Sequence, residues 1–117
     1  MTVKILSKLV VTPVRGKISW KLYKDWNLNV DNESLVIKQG FKTDFASVPR
    51  FAWFFVPPAD GFYRQPAVLH DWMYVKAYKT KKYADKTFLK FMEKMGVPLF
   101  KRYVMYFAVR LFGRGNY

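Results

Sequence analysis

Apolar and polar residues alternate from Lys17 to Tyr23, with Ile18, Trp20 and Leu22 at every second position. A period of two puts those three on one face of a strand and Lys17, Ser19 and Lys21 on the other. A turn-rich stretch from Asn29 to Ser34 follows, then the apolar run Leu35-Val36-Ile37, and then Gly40, which permits a bend or bulge before Phe41. The first half thus predicts a small antiparallel sheet built from hairpins. From Ser47 to Pro66, Pro49, Pro57, Pro58, Gly61 and Pro66 stand among aromatic residues. That density forbids a long helix and predicts an ordered loop, with room for a short turn around Phe51 to Phe55.

Helical spacing takes over from there. Pro66 suits the first turn of a helix, where its missing N–H has no partner to lose, and the helix runs through Ala67 to Val75. A second helix is predicted from about Lys82 to Met95, ended by Gly96 with Pro98 beyond it. A third covers roughly Leu99 to Phe112 and stops at Gly113. It is apolar around most of its circumference, which predicts a central core helix packed against the sheet. A sheet, an aromatic loop and three helices make an α+β fold. No linker, repeat or low-complexity segment interrupts the 117 residues, so a single domain is expected.

Composition narrows the chemistry. The chain has no cysteine, which excludes disulfides, thiolate metal sites and cysteine nucleophiles. Its single histidine, His70, excludes multi-histidine metal sites and leaves one imidazole for acid–base work. No apolar run reaches the ~18–20 residues of a membrane span. The opening MTVKILSKLVVTP lacks the long apolar centre and small-residue cleavage site of a secretory signal, so synthesis and initial residence in the cytoplasm are expected.

Charge adds a direction. Residues 76–117 hold eleven Lys and Arg against Asp85 and Glu93, a net of +9, while residues 1–75 carry only +4. A basic half of this size attracts polyanions: nucleic acid, an anionic membrane surface or an acidic protein. No helix-turn-helix, zinc-finger or RNA-binding signature is present, although aromatics interleaved with lysine from Lys76 to Lys90 would allow non-specific nucleic-acid contact.

The densest chemical constellation is His70-Asp71-x-x-Tyr74 followed by Asp85. His70 and Tyr74, four apart, share a helix face, while Asp71 points about 100° away. In an antiparallel hairpin of two helices, residues equidistant from the turn lie side by side. The midpoint of 70 and 85 falls close to Tyr78-Lys79-Thr80, where the helix should break, so His70 and Asp85 are expected to touch. An aspartate on one ring nitrogen fixes the tautomer of a histidine and raises its basicity, as in a general-base dyad; as a purely architectural pair the two would instead tie the hairpin together. Asp71 would offer an oxygen ligand to a hard cation such as calcium.

This arrangement resembles the catalytic helices of phospholipases A2, over roughly residues 66 to 92. The resemblance implies His70 as the base, Asp85 as the orienting acid, Tyr74 as support and Asp71 as a calcium ligand. The glycine-rich calcium loop of those enzymes has no counterpart in Pro57 to Tyr63, so Asp44 and Asp60 are the candidates to complete a metal site. Lysines at 79, 81, 82 and 86 oppose divalent binding if they point inward. No G-x-S-x-G elbow surrounds Ser47, which argues against a serine nucleophile there; Thr43, Asp44 and Ser47 suit the capping of nearby backbone amides.

Three further blocks carry a resemblance along most of the chain. They are Gly40-Phe41-Lys42-Thr43-Asp44-Phe45-Ala46-Ser47-Val48-Pro49-Arg50, then Ala67-x-x-His70-Asp71-x-x-Tyr74, then Ala84-Asp85-x-x-Phe88 with a distal Met105 to Gly113. Together they are similar to a domain of unknown function found in phages, prophages and bacteria. The resemblance implies a small phage-encoded protein, associated with the virion or its assembly, with a His–Asp helix-hairpin core. Its expected partners are other virion proteins, with an anionic membrane surface or nucleic acid as alternatives and no small-molecule cofactor. Its expected location is the host cytoplasm, with incorporation in the particle to follow. A metal-assisted, phospholipase A2-like hydrolase acting on a lipid or envelope ester, with calcium, is the competing expectation. A basic module binding nucleic acid or an anionic surface is the third.

Overall fold

Trp26, Leu28 and Val30 are fully buried while Asn27 and Asn29 between them are half-buried, the signature of a strand with one covered face. In the computed structural model, which describes residues 1–14, 19–43, 49, 52 and 61–117 (backbone only at 61 and 62), six short strands precede three helices. The strands are β1 Val3–Ile5, β2 Val11–Pro13, β3 Trp20–Leu22, β4 Trp26–Val30, β5 Glu33–Ile37 and β6 Lys42–Thr43. The helices are α1 Gly61–Lys76, α2 Lys81–Lys94 and α3 Leu99–Phe112. The fold is α+β, and the chain divides into two compact units, residues 1–44 and 45–117.

The first unit holds two antiparallel sheets of three strands each, ordered β1-β4-β5 and β2-β3-β6. In the first sheet Val30 faces Val3, and Leu35 and Ile37 face Leu28 and Trp26, so one face of the sheet is continuously apolar. Asp31 and Asn32, at φ 51° and 67°, make the two-residue turn between β4 and β5. Asp and Asn tolerate this left-handed region, and two such residues in succession match the twist of a hairpin. The stretch from Asn29 to Ser34, expected as a broad turn, is therefore strand at both ends. In the second sheet Pro13 lies on the edge strand β2, where its missing N–H costs no ladder bond. The strand expected over 17–23 is seen as Trp20–Leu22; residues 17 and 18 lie outside the described residues. So do most of the expected aromatic loop and its turn at Phe51 to Phe55.

In the second unit α1 packs on α2, and α2 on α3. Leu69, Met73, Phe88, Phe91, Met92, Met105 and Val109 fill the space between them. α1 begins at Gly61, five residues before Pro66, so this proline sits inside the helix and not in its first turn. A proline there forgoes one amide bond to the carbonyl four residues back. α2 starts at Lys81 because the Thr80 side chain accepts a bond from the Tyr83 amide (3.0 Å). It ends where Gly96, at φ +86°, turns the chain so that Gly96 N–H reaches Glu93 O and Val97 N–H reaches Met92 O. α3 covers the expected residues, but only Met105, Ala108 and Val109 of it are buried. Phe100 is 75% exposed and Leu111 73%, so α3 is not the central core helix its composition predicted. It packs with one narrow stripe and leaves the opposite apolar face open.

Candidate catalytic site on the helical unit

The turn between α1 and α2 spans only Ala77 to Thr80, so the two helices run back along each other and His70 meets Asp85. His70 Nε2 lies 2.7 Å from Asp85 Oδ1, and neither side chain has any exposed surface. Tyr74, one turn after His70 on the same face, donates its hydroxyl to that same oxygen at 2.5 Å. The His70 ring is also packed against the rings of Tyr74 (4.2 Å between centres) and Phe88 (4.7 Å).

The second carboxylate oxygen faces cations. Lys81 Nζ donates to Asp85 Oδ2 at 2.9 Å, and Arg110 from α3 does so at 3.0 Å. Lys81 also donates to the carbonyls of Val109 (2.7 Å) and Arg110 (3.1 Å), which belong to the last turn of α3. Those carbonyls sit at the negative end of the helix dipole, where an ammonium is stabilised. Asp85 therefore receives donors from all three helices.

These contacts set the protonation states. Burial favours the neutral carboxyl, but bonds from His70, Tyr74 and Lys81 outweigh it and hold Asp85 down at about 2, so it is ionised. Burial lowers the His70 pKa below its usual value, against the opposing pull of Asp85. His70 is thus neutral at pH 7. An ionised carboxylate only accepts, so the nitrogen facing it, Nε2, carries the proton and Nδ1 carries the lone pair. Burial and then the Asp85 charge push the Tyr74 hydroxyl far above its ordinary range, so it stays a donor.

Residues 113–117 fasten Tyr74 from the other side. A β-carbon at Gly115 would fall 2.8 Å from Tyr74 Cβ and Cγ, so only glycine permits the tail to lie this close. Asn116 N–H donates to Tyr74 O and Asn116 Nδ2 to Val75 O, and the Tyr117 hydroxyl shares its one proton between Met73 O (2.9 Å) and Tyr78 O (2.8 Å). The tail thus adds donors to carbonyls in the last turn of α1, Met73, Tyr74 and Val75, and to Tyr78 in the turn that follows. The Tyr117 ring meets the Tyr74 ring edge-on at 5.4 Å.

Of the residues singled out in the sequence, His70, Tyr74 and Asp85 come together. Asp71 is buried beside His70 in α1, and Asp44 and Asp60 lie outside the described residues. Among the described residues no group of three or more His, Asp or Glu stands where it would hold a metal ion, so the calcium expectation keeps one described ligand, Asp71. Lys81, one of the lysines that oppose divalent binding if they point inward, does point at Asp85, and Arg110 joins it without having been singled out in the sequence. Lys81 stands four residues before Asp85 on the same helix, a spacing that signals an ion pair. Arg110 is brought in by the packing of α3, which no local spacing announces.

A family model described as "Protein of unknown function (DUF1353)" matches residues 20–109. No curated protein and no solved structure matches the chain significantly.

Proposed function

The chain belongs to the DUF1353 family, and we propose that its helical unit is a hydrolase core in which His70 is the general base. The observation that carries this reading is the 2.7 Å contact from His70 Nε2 to Asp85 Oδ1, with Tyr74 on the same oxygen. Burial keeps the imidazole neutral and that contact places its proton on Nε2, so Nδ1 is the nitrogen that acts as base at neutral pH. Nδ1 takes a proton from water, and the hydroxide formed attacks an ester carbonyl carbon. The tetrahedral adduct then expels the alcohol, which leaves with the proton returned from the imidazolium. Asp85 remains ionised throughout and stabilises the imidazolium while it exists. The resemblance of the His70-Asp71-x-x-Tyr74 and Asp85 motifs to those of phospholipases A2 is what supports a lipid or envelope ester as substrate.

The test is hydrolysis of phospholipid vesicles and of a short-chain chromogenic ester, with and without calcium. His70→Gln should lose at least about 100-fold in rate while keeping its circular dichroism spectrum. Absence of hydrolysis by the unaltered protein on either substrate, or full activity in His70→Gln, contradicts the reading.

A second reading is favoured by the complete burial of His70 and by the convergence of three helices on one carboxylate. In it the Asp85 cluster only holds the unit together, and the protein is a phage virion or assembly component, as its family resemblance suggests. Detection of the protein in purified particles, together with no hydrolysis, would decide for it.

A further inference from the structure

We infer that the exposed face of α3 docks on an anionic lipid bilayer and lies flat at its surface. Leu99, Phe100, Tyr103, Phe107 and Leu111 recur at helical spacing, and all are exposed. They stand opposite the stripe of Met105, Ala108 and Val109 that packs into the unit. They line a shallow apolar groove of about 650 Å³ whose described lining residues all belong to α3. Rings of Tyr103 and Phe107 (6.1 Å), and of Tyr106 and Phe107 (5.4 Å), hold one another in place there. Scattered apolar residues on a surface need no explanation, but a contiguous aromatic and aliphatic stripe along a whole helix does.

Charge chooses the occupant. Lys101 and Arg114 are exposed on and just after α3, and Arg102 is half-exposed. They belong to the segment 76–117, whose net charge is +9. Two copies meeting through this face would bring like charges together, whereas a bilayer rich in anionic headgroups attracts both the cations and the apolar stripe. The helix has 14 residues, about 21 Å long at 1.5 Å per residue, and among the described residues no helix is long and apolar enough to cross a membrane. It therefore rests in the interface. This inference stands whether or not His70 is a base, because no residue of the stripe belongs to the Asp85 cluster.

The experiment is co-sedimentation of the protein with phosphatidylglycerol-containing vesicles and with pure phosphatidylcholine vesicles, at low and high salt. It is run alongside Phe107→Ser/Leu111→Ser, whose exposed positions leave the packed stripe intact. The unaltered protein should pellet with the anionic vesicles, less so as salt rises, and little with the zwitterionic ones. The double variant should bind at least about tenfold more weakly with an unchanged circular dichroism spectrum. Failure to pellet with anionic vesicles, or equal binding by the double variant, overturns the proposal. Sedimentation velocity showing a dimer that the double variant abolishes would overturn it too, by assigning the face to a second copy.

Discussion

Asp85 Oδ1 accepts from His70 and Tyr74 of α1, while Lys81 Nζ bridges Asp85 Oδ2 to the carbonyls that end α3. One carboxylate thereby fixes the tautomer of His70 and joins three helices, and the two roles respond differently to substitution.

Asp85→Asn keeps the volume but removes the charge that Lys81 and Arg110 face, and it leaves His70 Nε2–H a weaker acceptor. Breaking a buried ion pair from one side costs roughly 3 kcal/mol, so urea unfolding should show a loss of about that size. Glu93→Gln is the control: its pairing with Lys90 is 3.7 Å long and half-exposed. It should change stability by less than about 0.5 kcal/mol.

Stability should fall as solutions are acidified, in two windows. Burial lowers the folded His70 pKa below the 6.5 it regains on unfolding. Below that value the unfolded chain binds more protons, so stability drops as pH falls from about 6.5 toward the lowered native value. Asp85, at about 2 when folded against 3.8 otherwise, contributes stability in full above 3.8 that is lost as pH falls through about 2. Thermal unfolding between pH 7.5 and 2 should show both limbs, and His70→Gln should flatten the upper one only.

The tail should matter out of proportion to its exposure. A methyl group at residue 115 meets the Cβ and Cγ of a tyrosine held by its own hydroxyl bond, and neither partner is the loose end of a side chain. Gly115→Ala should cost about 1–3 kcal/mol, the usual range for overpacking. Thermal denaturation checks this.

The opposite sign is expected at Ala77, which sits at φ +50° just past the end of α1. A left-handed alanine costs about 1 kcal/mol that glycine does not. Ala77→Gly should therefore raise the melting temperature by a few degrees.

The parts of the fold that the chain announced locally are those with a local physical cause. Thr80, Gly96 and Pro98 bracket α2 because a cap and a left-handed glycine act within a few residues of themselves. The pairing of His70 with Asp85 followed from the symmetry of a hairpin about its turn. Strand β4 escaped notice because its polar positions, Asn27 and Asn29, are residues that favour turns, and only pairing with β1 and β5 on both sides makes it a strand. Strands β1 and β2, three residues each, are too short to show a period. Arg110 and the tail reach the site through the packing of α3 and the closeness that Gly113 and Gly115 allow, both long-range effects. The open face of α3 is not legible in the sequence, because an apolar circumference does not tell which side meets a neighbour.

Neutral His70 at pH 7 with its proton on Nε2 is directly measurable, because the protein has a single histidine. A long-range nitrogen–proton correlation spectrum of nitrogen-15-labelled protein at pH 7 reports both ring nitrogens. A protonated Nε2 and an unprotonated Nδ1, persisting as the pH is lowered past 6.5, is the result predicted. An imidazolium at pH 7, or a proton on Nδ1 with Nε2 bare, would contradict the account.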